Sequence, residues 1–123
     1  MRLTVTPGAQ QLRIRGYTAG KIQIGEQEFD RALLIGIQRV LGELRPQQPS
    51  DLAESDLAAV FAEQPEVVLI GWAQGQTFLP AAQRRWFLER GIGLEVMELG
   101  AACRTFNVLA GDGRRVMAML FPR

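Results

Sequence analysis

Histidine is absent from the chain, cysteine occurs once, as Cys103, and lysine once, as Lys21. Without histidine the usual general base at neutral pH is gone, and with it the commonest zinc ligand and the Ser-His-Asp and Cys-His pairings that activate a nucleophile. A single cysteine excludes CxxC redox motifs, thiolate metal clusters and any intramolecular disulfide, which fits a reducing compartment. Catalysis would fall to carboxylates, arginines, Lys21, Tyr17 or Cys103, and that shortage argues against an enzyme. No catalytic residue, cofactor or metal is expected.

An excess of either charge is missing too. Fourteen Lys and Arg against thirteen Asp and Glu leave a net charge of +1, which gives no bulk field to draw in nucleic acid or an anionic membrane. No nucleic-acid partner is expected. No segment approaches the roughly 20 apolar residues that span a bilayer, and "MRLTVTPGAQ" lacks the apolar stretch of a secretory signal. The expectation is a soluble, cytoplasmic protein with no transmembrane segment.

What is present is a chain of 123 residues with 47% apolar composition, enough for one domain but not for two independent cores. "QLRIRG" and "KIQIG" alternate polar and apolar residues, with Leu12 and Ile14 on one face of the first strand and Ile22 and Ile24 on one face of the next. "YTAG" between them and "GEQEFD" after them read as turns. "RALLIGIQRVL" reads as a buried strand around Leu33 to Ile37, with a helical reading of Arg39 to Leu44 left open. "RPQQPS" interrupts regular structure, because Pro46 and Pro49 bias the residues before them away from the helix.

Beyond that loop the pattern alternates. A helix is expected from Ser50 or Ser55 to about Glu63, with Ala53, Leu57, Val60 and Phe61 on one face and Pro65 closing it. "EVVLIG" is a strand. A helix from near Pro80 to Gly91 follows, with Leu79, Ala82 and Trp86 as its packing face and Arg84 and Arg85 in solvent. "GLEVM", "GAACRTFNVLA" and "RRVMAMLF" read as strand, helix and strand, the last apolar on both faces and so covered on both sides. The expected fold is α/β: a single domain, 1–123, with a mixed sheet flanked by helices. Its N-terminal β part covers about 1–45, its Pro-rich loop 46–49 and its βαβαβ-type part about 50–123.

Ligands of such sheets favour the crevice beyond the carboxyl ends of the strands. Two loops should meet there, Gly71 to Gly75 and Glu98 to Arg104. On the helix after Glu98, the residues Leu99, Ala102, Cys103, Phe106 and Leu109 or Ala110 recur at helical spacing as the buried face, while Arg104 and Asn107 project together from a neighbouring one. Free backbone N–H groups beside a guanidinium suit an anion or carboxylate. The alternative is that Arg104 pairs with Glu98 or Asp112. Cys103 reads as a core thiol rather than a reactive one. "GWAQG" follows a strand, yet Trp72 and the missing third glycine argue against a dinucleotide fingerprint.

The run "GIGLEVMELGAACRTFNVLAGDGRRV" resembles the signature region of a small α/β family. Its mitochondrial members are assembly factors for respiratory complex I, the NADH:ubiquinone oxidoreductase, and its bacterial members are mostly of unknown function. The similarity extends through "EVVLIG" and, more faintly, "YTAGKIQIGEQEF", with "AACRTFN" the most specific part. The resemblance implies a bacterial member with a three-layer fold, a mixed sheet and an added N-terminal β layer, and a role in protein complexes rather than catalysis. Family members usually carry Gly-Thr-Gly where this chain has Gly71, Trp72 and Ala73, and often threonine at Leu99 and tyrosine at Phe106. Cys103, Arg104, Thr105 and Asn107 match.

Two functions follow. One is a noncatalytic partner-binding protein, a helper in assembling a membrane or respiratory complex, with Gly71, Trp72, Cys103, Arg104, Thr105 and Asn107 as its surface. The other is an anionic-ligand binder or enzyme using the crevice around Trp72 and Arg104. A homodimer stays open, because an exposed Trp72 or an uncovered edge strand suits self-association.

Overall fold

A computed structural model of the chain describes residues 12–18, 20–75 and 78–123. Three short strands, β1 (Ile14–Thr18), β2 (Lys21–Ile24) and β3 (Gln27–Phe29), form an antiparallel sheet in that order. The segments expected to be turns contribute strand instead. Tyr17 and Thr18 pair with Ile22 and Lys21, and Gln27 to Phe29 pair back onto β2. The turns shrink to the glycines that need a left-handed backbone, Gly20 at φ 80° and Gly25 at φ 59°.

The next hairpin, β4 (Leu33–Ile35) and β5 (Val40–Glu43), joins the larger sheet, so the segment from Arg39 to Leu44 is strand and not helix. β6 (Val67–Trp72), β7 (Gly93–Glu98) and β8 (Val116–Phe121) complete that sheet in the order β5-β4-β8-β6-β7. β6 runs parallel to both β7 and β8, and β4 lies antiparallel to β8. The fold is therefore a single α/β domain with a mixed sheet, as the alternating pattern implies. β8 is its central strand, and all six of its residues are buried.

Among the described residues three α-helices cover the sheet: α1 (Ala58–Glu63), α2 (Ala81–Leu88) and α3 (Leu99–Gly111). Val116, Ala118 and Leu120 pack with Leu69 against α3 and against Ile14, Ile22 and Ile24 of the small sheet. Met117, Met119 and Phe121 pack on the other side with Val68, Ile70, Leu57, Val60 and Phe87. α3 and the small sheet thus share one face of the large sheet, while α1 and α2 hold the other.

Two helices differ from their expected form. The helix expected from Ser50 or Ser55 begins as two 3-10 turns, Pro49–Asp51 and Glu54–Leu57, and becomes α-helical only at Ala58. Asp56 shapes the second turn: its carboxylate accepts the Ala53 N–H at 2.8 Å and takes the Arg45 guanidinium through Nε at 3.2 Å and Nη2 at 2.8 Å. Arg45, foremost through that hydrogen bond, holds the Asp56 carboxyl below its ordinary range. In α2 the buried residues are Gln83 and Phe87; of the expected packing face, Leu79 is buried and Trp86 packs half-buried against the same cluster, while Ala82 is exposed. A glutamine faces inward because Gln83 Nε2 donates to the carbonyls of Ser50 at 2.9 Å and Leu52 at 2.8 Å, tying α2 to the 3-10 turn.

A candidate arginine-lined cleft between β1 and α3

α3 begins at Leu99 because Glu98 caps it. The backbone of Glu98 is extended, and its carboxylate accepts the N–H of Gly100 at 2.8 Å and of Ala101 at 3.1 Å. These two bonds, that to Gly100 foremost, and more weakly the charge of Arg104, pull the Glu98 carboxyl below its usual range against the opposing cost of desolvation. The N–H groups expected to be free for an anion at this helix start are therefore already partly occupied.

β1 lies against the exposed side of α3. Asn107 Nδ2 donates to the Ile14 carbonyl at 2.9 Å, and Asn107 Oδ1 accepts the Ile14 N–H at 3.0 Å. Nearer the start of the helix, the Tyr17 hydroxyl sits on Gly100, where any Cβ would collide with it. The same hydroxyl accepts a long hydrogen bond from Arg104 Nη1 at 3.5 Å. Between these contacts an open cleft of roughly 600 Å³ is lined by Arg13, Arg15, Tyr17, Cys103, Arg104 and Asn107, with Leu12, Ile14 and Ile24 as apolar surface.

Among the described residues no carboxylate lines the cleft. Among the described residues, none of Arg13, Arg15 and Arg104 lies within 4.0 Å of an acidic group, so the expected pairing of Arg104 with Glu98 or Asp112 is not formed. Cys103 touches the cleft but is 3% exposed. Burial foremost, helped by the negative charge of Glu98 and opposed by Arg104, pushes its thiol up to about 12. It remains a protonated thiol at neutral pH.

The sequence-derived surface is divided by the fold. Cys103, Arg104 and Asn107 meet at the cleft, whereas Thr105 is half-buried outside its lining. Gly71 belongs to β6 and is buried beneath α3, where a Cβ would come within 2.5 Å of the Ala102 Cβ. Trp72 points to the opposite face of the sheet. It packs in the cluster of α1 and α2, donates its indole N–H to the Arg123 carbonyl at 2.8 Å, and lines a separate recess with Gln47, Asp51 and Gln74. Among the described residues Trp72 and Arg104 line different recesses, because neighbouring residues on a strand face opposite sides. Sequence reasoning passed over Arg13 and Arg15, and named Tyr17 only among the groups left for catalysis and not for this surface; the signal available was "RIR", two arginines flanking the one inward residue of a strand.

The fold and cleft define a single-domain α/β protein in which a three-stranded β layer and one helix share a face of a mixed sheet and enclose a basic groove. The chain belongs to the family described as protein of unknown function (DUF498/DUF598), which matches residues 14–121. It is 24% identical over 105 residues to the 13 kDa major membrane protein of Francisella tularensis subsp. holarctica, covering 85% of each chain. A Bordetella parapertussis protein of known crystal structure is 32% identical, with a TM-score of 0.84 over 92% of this chain and 97% of that one. The crystal structure of a Bartonella henselae protein described as an outer membrane protein is 30% identical, with a TM-score of 0.77 over 90% of this chain and 94% of that one. Among the described residues of the present chain, no helix is long and apolar enough to cross a membrane.

Proposed function

We propose that the protein is a noncatalytic partner-binding protein that helps to assemble a membrane-bound protein complex and engages its partner through the cleft between β1 and α3. The observation that carries this reading is the set of guanidiniums facing open water there without a carboxylate. Arginine presents a fork of donors matched to carboxylate and phosphate, and at neutral pH it offers neither a nucleophile nor a proton to transfer. The thiol of the cleft, buried and held protonated at neutral pH, is a poor acid–base group there.

Two relatives described as membrane proteins support the membrane side of the reading. So does the resemblance of the α3 segment to respiratory complex I assembly factors. In this reading the protein works from the cytoplasm and reaches the membrane through its partner. The test is a tagged copy expressed in its own cell, crosslinked, recovered from detergent-solubilised membranes and analysed by mass spectrometry. Enrichment of the subunits of one membrane complex over a tag-only control is the expected result. Recovery of the uncrosslinked monomer alone, with none in the membrane fraction, would overturn the reading.

A further inference from the structure

We propose that the cleft between β1 and α3 is a receptor for an acidic peptide segment, whose Asp or Glu side chains are read by Arg13, Arg15 and Arg104. The inference deepens the partner-binding reading and rests on it for the source of the segment. Its first support is charge. All thirteen acidic side chains of the chain fall within the described residues, and the first eleven residues contain no Asp or Glu. Among the described residues no carboxylate lies within 4.0 Å of Arg13, Arg15 or Arg104, and Glu98, the acid whose charge acts with that of Arg104 on Cys103, is engaged in capping α3. The cleft is thus left with a positive charge that an acidic segment of another molecule would complement.

The second support is spacing. Arg13, just before β1, and Arg15, in it at a register irregularity between Ile14 and Gly16, flank Ile14, roughly 6–7 Å apart if the chain there is extended, and Arg104 faces them from α3. Charges spread in this way match carboxylates at alternate positions of an extended peptide better than one compact anion. The third support is shape. The arginines flank a concave, partly apolar groove that admits a chain and its side chains, whereas a flat bilayer surface does not reach into it. A net charge of +1 adds no general attraction to anionic surfaces.

The experiment is fluorescence anisotropy of a fluorescein-labelled hexaglutamate peptide titrated with the full chain at low salt, with hexaglutamine as the neutral control. Saturable binding of hexaglutamate alone is expected, weakened about tenfold by Arg104→Gln and lost in the triple variant Arg13→Gln, Arg15→Gln, Arg104→Gln. The double variant Arg84→Gln, Arg85→Gln, on α2, should bind within about twofold of wild type, since exposed charges far from a bound carboxylate are largely screened. Amide shift changes in the wild-type NMR spectrum, centred on Tyr17 and Arg104, locate the peptide without recourse to a variant. The proposal is overturned if wild type does not bind hexaglutamate, if the shifts centre elsewhere, or if Arg84 and Arg85 matter as much as Arg104. It is also overturned if inorganic phosphate or phosphatidylglycerol vesicles bind the cleft while the peptide does not. Crosslinking to a membrane complex that survives the triple variant would sink this inference and the cleft as the contact surface, and leave standing only that the protein binds such a complex. Peptide binding in a protein with no cellular partner would do the reverse.

Discussion

Asn107 closes both hydrogen-bonding groups of Ile14, 93 residues away in sequence, with the two ends of one side-chain amide. β1 is an edge of the small sheet, and an unpaired edge invites pairing with another chain. The amide stands in for a neighbouring strand at that point. Asn107 is the sole asparagine of the chain, and only an amide carries a donor and an acceptor side by side in this geometry. Its part is to dock the small sheet on α3, and through that docking to hold Arg13 and Arg15 opposite Arg104.

Asn107→Ala leaves the part-buried N–H and C=O of Ile14 without partners, and should lower stability by about 1–3 kcal/mol. Urea denaturation measures the loss, and amide exchange of β1 should quicken more than that of β8. Asn107→Asp keeps the acceptor but sets an oxygen against the Ile14 carbonyl, so its deficit should shrink as acidic pH protonates the new carboxyl. A deficit independent of pH would show that the donor side of the clamp is unimportant.

Gly71→Ala should destabilise the fold by about 1–3 kcal/mol through overpacking, because the new Cβ would lie 2.5 Å from the Ala102 Cβ and 3.3 Å from the Leu99 Cα. Ala102→Gly makes room, so the double variant should be more stable than the sum of the single losses predicts. A double-mutant cycle with no coupling would mean that β6 and α3 separate freely at this point.

The centre of the large sheet was legible because β6 and β8 are apolar on both faces, and "VMAMLF" in particular declares a centre, whereas β5, with Gly42 and Glu43 exposed, left a helical reading open. α3 was legible because Leu99, Ala102, Cys103, Phe106 and Ala110 repeat at helical spacing, and all five are buried. The small sheet was half hidden: its strands are three to five residues long, with Gln27 and Glu28 exposed in β3, so polarity imitated a turn. Gln83 was passed over because a polar residue enters the core only where carbonyls elsewhere in the chain await a donor. The cleft has the same difficulty. Arg13 and Arg15 meet Arg104 only after β1 docks, a long-range event that no local pattern encodes, whereas Trp72 and Arg104 looked adjacent only because strand alternation was not carried through to the loop.

Glu98→Ala should fray the first turn of α3 and cost on the order of 0.5–1 kcal/mol, as losses of N-capping side chains do. Because the folded-state pKa of Glu98 is depressed below 4.5, the stability it adds is full above that value and fades as pH falls through the folded pKa. The difference between wild type and Glu98→Ala should therefore be constant from neutral pH down to about pH 5 and close at more acidic pH. Equal melting temperatures of the two proteins at pH 7 would show that the cap contributes nothing.

Cys103 provides the alkaline counterpart. Its pKa is raised on folding from 9.0 to about 12, so the folded state prefers the neutral thiol. The contribution is complete below pH 9, where both states are protonated. Above it the unfolded chain releases the proton while the folded chain does not, and stability falls until the folded pKa near 12 is reached. Cys103→Ala lacks this titration, so the stability of wild type relative to Cys103→Ala should decline from pH 9 upward and stay flat between pH 6 and pH 8. A thiol reagent such as Ellman's should label native Cys103 at pH 8 many times more slowly than the urea-unfolded chain, since the thiolate is the attacking form. Labelling at equal rates in the two states would place the thiol in solvent and its pKa near the ordinary value, and Cys103 would then have to be counted among the reactive groups of the cleft.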